Sequence, residues 1–169
     1  MVWQIVALIN DKMPFYKQII KALVLIFCTS VLVSCQKPQP AAISVQLLWQ
    51  GQPIACGQPL PLEGWLLEQI QFYLADFHLN SQPQKLVAND WQDEHISLLG
   101  TDCHSAGQWQ ILFEQPVANG ELSFTLGVPA SLNHQNPLTA KSPLQQSDMH
   151  WSWQNGYKFF RLDLQGSTG

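Results

Sequence analysis

The sequence predicts an all-β fold, an antiparallel sandwich-like domain behind an N-terminal signal segment. Three observations predict it. Short apolar runs alternate with polar residues at a period of two, as half-buried strands do. Gly, Pro and Asn turns separate those runs at intervals typical of sandwiches and barrels. Neither a βαβ rhythm nor an internal repeat is present.

The N-terminus is read first, because it is not part of the fold. Lys17 and Lys21 precede an apolar run from Ala22 to Val33 that ends in small residues, the layout of a secretory signal. That run is shorter than the ~20 apolar residues a membrane-spanning helix needs. Leu32-Val33-Ser34-Cys35 reads as a lipobox, with cleavage before Cys35 and lipid attached to it; the alternatives are an ordinary signal cut nearby or an uncleaved anchor. Residues 1–34 are therefore the expected lipoprotein-type signal, with Met13 as a possible true start, and residues 35–44 a lipidated cysteine and tether. Gln36, where an aspartate would favour inner-membrane retention, points to an outer-membrane or periplasmic destination in a Gram-negative envelope.

Cleavage removes three lysines and one aspartate, which takes the formal net charge from −4 to −6. An acidic, lysine-poor domain lacks the basic footprint that nucleic acid or an anionic bilayer attracts. Contact with a membrane is expected through the lipid alone. Of four cysteines, Cys28 leaves with the signal and Cys35 takes lipid. Cys56 and Cys103 remain, and in an oxidising compartment one disulfide is the simplest outcome.

The β domain is expected over residues 45–169. Ile43, Val45, Leu47 and Trp49 alternate with polar neighbours and form the first strand, which Gly51-Gln52-Pro53 ends. Glu68 to Leu79 is the longest candidate. Its apolar phase changes between Leu74 and Phe77, as a β-bulge would make it. Helix competes over Trp65 to Tyr73, but the run Ile-Gln-Phe-Tyr-Leu favours strand. Shorter strands are expected at Lys85–Ala88, His95–Leu99, Gln108–Phe113, Glu121–Val128 and Tyr157–Leu164, with Asn119-Gly120 as a turn.

Gly127 to Phe160 is where chemistry concentrates. Pro137 and Pro143 exclude a continuous helix. His134, Met149 and His150 supply imidazole and thioether donors, which soft and borderline metals accept, copper(I) among them. Packing competes, since a methionine beside tryptophans ordinarily fills a core. Trp151 and Trp153, two apart, share a face if the segment is extended; a lid over one end of the sandwich is the plainer reading. His78, His95 and His104 lie on other segments. Catalysis has weaker support. Asp93-Glu94-His95 and Asp102-Cys103-His104 put acid beside imidazole, but neighbours on a strand face opposite sides. Ser105 lacks a nucleophile-elbow context, and neither a phosphate-binding glycine loop nor a CxxCH haem motif occurs. A non-enzymatic role follows.

Phe72-Tyr73 in a long strand, Gly127-Val128-Pro129, Asn133-His134, Pro143-Leu144, Met149, Trp151, Trp153 and Gly156-Tyr157-Lys158-Phe159 together resemble the MbnP-like copper-binding family, also known as the four-Cys metallo-mystery pair proteins. The resemblance spans roughly Val45 to Arg161. It implies a β-rich envelope protein that holds or delivers copper, as Cu(I), beside a di-haem cytochrome c peroxidase-like partner. In some members histidines and a tryptophan oxidised to kynurenine hold the metal. His134 and Met149 match family positions; His150 is particular to this chain. The resemblance also makes Trp151 and Trp153 candidates for oxidation. The family's second cysteine pair would lie beyond the Gly-Tyr-Lys-Phe strand, so the domain is expected to be incomplete at its C-terminus. A structural module whose Trp-rich loop docks a partner without metal is the alternative.

Overall fold

A computed structural model describes residues 40–62 and 64–166. The signal segment, the lipobox cysteine Cys35 and most of the tether lie outside the described residues. The strands run in order β1 (Ala41–Ser44), β2 (Leu48–Trp49), β3 (Gln52–Pro53), β4 (Trp65–Leu79), β5 (Gln82–Pro83), β6 (Ile96–Asp102), β7 (Gln110–Phe113), β8 (Leu122–Leu126), β9 (His150–Ser152), β10 (Gly156–Tyr157) and β11 (Phe160–Gly166). A 3-10 turn, Ser147–Met149, precedes β9. Among the described residues every strand pairing is antiparallel, and the all-β expectation holds.

β4 is the spine. β6 pairs along one edge from Gln69 to Ala75, and β5 follows through a hairpin whose Asn80 and Ser81 both take positive φ. Two positive-φ residues give a hairpin turn the twist its strands need. Along the other edge β11 pairs with Trp65–Phe72 and β8 with Leu74–Leu79, so the two lie end to end. The expected bulge is present: Asp76 takes φ +53 and the register with β8 shifts between Ala75 and His78. It moves Phe77 onto the face that Phe72 and Leu74 already occupy.

One apolar cluster therefore lies on each face of β4. Phe72, Leu74, Phe77, Leu86, Leu99, Ile111 and Phe113 fill one, under the β1–β7 pair, with Ile43, Val45 and Leu47 packed against it. Tyr73, Ala75, Ile96 and Leu98 face the other way and meet Val128, Leu144, Met149 and Tyr157 from the long segment after β8. Cys56 and Cys103 form the expected disulfide, with Cα atoms 5.4 Å apart. Closing that loop stabilises by about 4 kcal/mol in the chain-entropy model.

Several expected boundaries differ. Pairing begins at Ala41 rather than at Ile43, because Ala41–Ser44 register with Phe113–Gln110. What was expected as the end of the tether is thus already strand. Lys85–Ala88 contributes one isolated bridge, Leu86 to Phe113. Its ladder is interrupted by the buried side chain of Gln92, whose Nε2 donates to Val87 O at 2.6 Å and to Leu112 O at 2.8 Å, while Oε1 accepts from Leu112 N. Tyr157–Leu164 divides in two. Tyr157 pairs with His150, and from Phe160 the chain pairs with β4 instead. Phe124 and Leu126, at alternating apolar positions of β8, are about half exposed.

Candidate functional site

The segment between β8 and β11 is a closed excursion from one point on the sheet. Tyr73 O accepts from Gly127 N at 2.8 Å, and Tyr73 N donates to Phe159 O at 3.0 Å. One residue of β4 thus fastens both ends. Gly127, at φ +127, lies under the Phe159 ring, and a Cβ there would sit 2.7 Å from that ring. Only glycine accommodates both the backbone and the contact.

Inside the excursion the chain folds on itself by short-range bonds. Leu132 N and Asn133 N donate to Pro129 O, and Thr139 N and Ala140 N to Asn136 O. β9 and β10 form a hairpin. The Asn133 turn is seated on that hairpin, its Oδ1 accepting from Tyr157 N at 2.9 Å. Gly156, at φ +75, makes room, since a Cβ there would strike the Asn133 carbonyl oxygen. Tyr157 hydroxyl donates to Gln135 O at 3.3 Å.

This seating positions the side chains singled out in the sequence. His134 is exposed, with Nδ1 3.4 Å from Trp153 O. His150 is half-buried and stands edge-on to Tyr157, ring centroids 5.0 Å apart. Trp151 and Trp153 are 71% and 78% exposed, so neither acts as a lid. Met149 is different. It is fully buried in the cluster with Tyr73, Leu144 and Tyr157, and its carbonyl accepts from Lys158 N at 2.8 Å. Its thioether is a packing group here, while the two imidazoles stay at the surface.

Beneath the hairpin, Tyr157 meets Tyr73 edge-on at 6.0 Å. Burial pushes the Tyr73 phenol far above its usual range, with Tyr157 and Asp148 adding to the effect. Burial raises the Tyr157 phenol as well.

Sequence reasoning missed Asp148, which fastens the loop to the sheet. Its Oδ2 accepts from Gln69 Nε2 at 2.7 Å and pairs with Arg161 Nη1 at 3.2 Å. Its carbonyl accepts from Lys158 Nζ at 2.9 Å. Gln69 and Gln71 are buried and bonded to each other at 2.8 Å. The available signal was two glutamines at alternate positions of the long, aromatic-rich strand, since buried amides need partners.

Other candidates are not brought in. His78 Nδ1 lies 2.8 Å from Asp76 O, and His95 lies beside Glu94. Asp102 is taken up locally, Oδ1 accepting from His104 N and Oδ2 from Ser105 Oγ. Cys103 is in the disulfide and has no thiol to attack with. Among the described residues, no three of His, Cys, Asp or Glu converge as a metal cage would require.

The MbnP family model matches residues 38–169, which is most of the chain. This chain belongs to the MbnP family. Among solved structures, MbnP from Methylosinus trichosporium superposes with a TM-score of 0.62 at 24% identity, over 76% of this chain and 55% of that one. The chain thus spans about half the length of that relative, and the likeness at this identity concerns the fold. A comparison with curated proteins found no match.

Proposed function

We propose that this MbnP-family protein is a cell-envelope lipoprotein, lipidated at Cys35, that binds copper(I) on the surface formed by the Asn133 turn and the β9–β10 hairpin. Membership of a family with a copper-associated role motivates the metal. The observation that carries the site is the seating of the turn on the hairpin, which brings His134 and His150 into one folded unit with two exposed indoles.

The donor set fits copper(I) better than the commoner alternatives. Imidazole suits copper, and a structural zinc site takes four protein ligands, which this loop does not assemble. His134 and His150 are the proposed ligands. Met149 supports the loop from the core. Trp151 and Trp153 stand open to a di-haem peroxidase-like partner that would oxidise one of them, and the oxidised side chain completes the donor set.

Competition titration of copper(I) against a chromogenic chelator under reducing conditions tests the ligands. His134→Ala and His150→Ala should each weaken binding at least tenfold. Unchanged affinity in both, or a wild type that does not bind, overturns the assignment.

Two tryptophans more than two-thirds exposed favour one second reading. Large aromatic side chains are overrepresented at protein interfaces. On that reading the hairpin docks the partner without metal, and Trp151→Ala lowers affinity for the di-haem protein equally with and without copper.

A further inference from the structure

The excursion has a second polar surface, where it meets the loop that precedes β6. A basin of about 360 Å³ opens there, a volume within the range of small-molecule sites. Its apolar floor is the margin of the cluster on that face of β4: Ile96 and Leu144, both buried, with the partly buried Leu132 packed beside them. Its polar lining includes one carboxylate, Asp93, and one ammonium, Lys141.

Each charge stands on a turn that fixes its backbone. Asp93 N donates to Ile96 O at 2.9 Å, and Asp93 Oδ1 accepts from Glu94 N at 2.7 Å. Leu144 N donates to Lys141 O at 2.9 Å. The two turns belong to segments remote in sequence, and the cluster that Ile96 and Leu144 share holds them to one basin.

The polar groups keep bonding capacity in reserve. Asp93 Oδ2 and Lys141 Nζ have no hydrogen-bond or ion-pair partner among the described residues, and the adjacent Glu94 is already taken by Lys85 at 2.8 Å. Ser142 Oγ accepts from Gln145 Nε2 at 2.7 Å, which leaves its own proton to donate. Thr139 Oγ1 donates to Asn136 O at 3.3 Å, which leaves its lone pairs to accept. A carboxylate and an ammonium that line one basin without pairing with each other are complementary to a molecule carrying both charges. Such a molecule must exchange water at each end for a charge-assisted bond, and the basin offers a charged partner and a hydroxyl for each. A neutral polyol would leave both charges unanswered.

We propose that this basin binds a free α-amino acid with a short apolar side chain. Its ammonium meets Asp93 and Thr139, its carboxylate meets Lys141 and Ser142, and its side chain lies over Leu132 and Ile96. The site does not rest on the copper reading, since His134, His150, Trp151 and Trp153 take no part in its lining.

Titration of the full chain in detergent with L-valine, followed by amide chemical shifts, tests the proposal. A chelator is present throughout, because amino acids themselves bind copper. Valine should bind with a Kd at or below about 1 mM. Asp93→Asn and Lys141→Gln should each weaken it at least tenfold, the loss that removing a charge-assisted bond brings. Asparagine retains an oxygen to accept from Glu94 N, so the turn is kept, and retention of the Cys56–Cys103 bond with an unchanged thermal melt checks the folding of both variants. Valinamide, which lacks the carboxylate, and isovalerate, which lacks the ammonium, should each bind wild type at least tenfold more weakly than valine does. No valine binding up to about 10 mM, equal affinity for either truncated probe, tighter binding of glucose, or folded variants that bind as wild type does overturns the assignment.

Discussion

Replacing Met149 separates a packing role from a ligand role, because the two respond to different substitutions. Its side chain is fully enclosed by Tyr73, Leu144, Tyr157 and their neighbours. Met149→Ala removes three heavy atoms from that cluster, and large-to-small changes at enclosed methionines cost about 2–5 kcal/mol. Leu144 and Tyr157 flank it from within the same loop, so some collapse is available, and the lower half of that range is expected. Met149→Leu nearly conserves volume and should cost under about 1.5 kcal/mol. Urea unfolding gives both values. Copper(I) competition on the same proteins gives the second readout, and there Met149→Leu should bind as wild type does. A leucine variant that keeps its stability yet loses tenfold or more in copper affinity would show that the thioether is a ligand, and the packing argument would be refuted.

Two further predictions concern the frame. Gln92→Leu strips Val87 O of its side-chain donor and leaves Leu112 N without the acceptor that Oε1 supplies, so it should cost about 1–3 kcal/mol by urea unfolding. Burial makes Tyr73 and Tyr157 hold their protons in the fold above the ordinary tyrosine value of about 10, whereas an unfolded chain releases them near it. The unfolded state then binds fewer protons, so stability is intact below about pH 10 and falls as pH rises beyond it. Tyr73→Phe should flatten that alkaline fall in thermal melts taken from pH 8 to 11.

Elements whose side-chain pattern follows from their own backbone geometry were legible in the sequence. The Glu68–Leu79 strand and its bulge were readable because Ile70, Phe72 and Leu74 change phase to Phe77, and side-chain period is the property a bulge alters. Where the partner is remote, the pattern misleads. Leu122, Phe124 and Leu126 alternate as a buried face would, yet two of them lie in the open. Alternation reports that a face is apolar, not what covers it. Lys85–Ala88 failed because a glutamine side chain intercepts its ladder, which no local propensity registers. In the candidate loop, burial separated Met149 from the exposed His134, Trp151 and Trp153, and Asp148 went unnoticed because its partners Gln69 and Arg161 are distant in sequence.

The site and the spine are one construction. β8 and β11 meet end to end on the same edge of β4, and the gap between them is one residue, Tyr73. Its backbone holds Gly127 and Phe159, so the entire excursion carrying His134, His150 and the tryptophans starts and finishes at a single rung. Its ring, on the face toward the loop, forms the floor under Tyr157, against which His150 stands. A loop anchored only at its ends would be free to move as a flap, but three further ties fix it: Asp148 to Gln69 and Arg161, Met149 in the core, and Asn133 to the hairpin. Each tie stabilises the loop without using His134, His150, Trp151 or Trp153 as its anchor. His134, Trp151 and Trp153 are thus exposed and His150 half-buried on a loop fixed by other residues, the preorganisation that the proposed binding site requires.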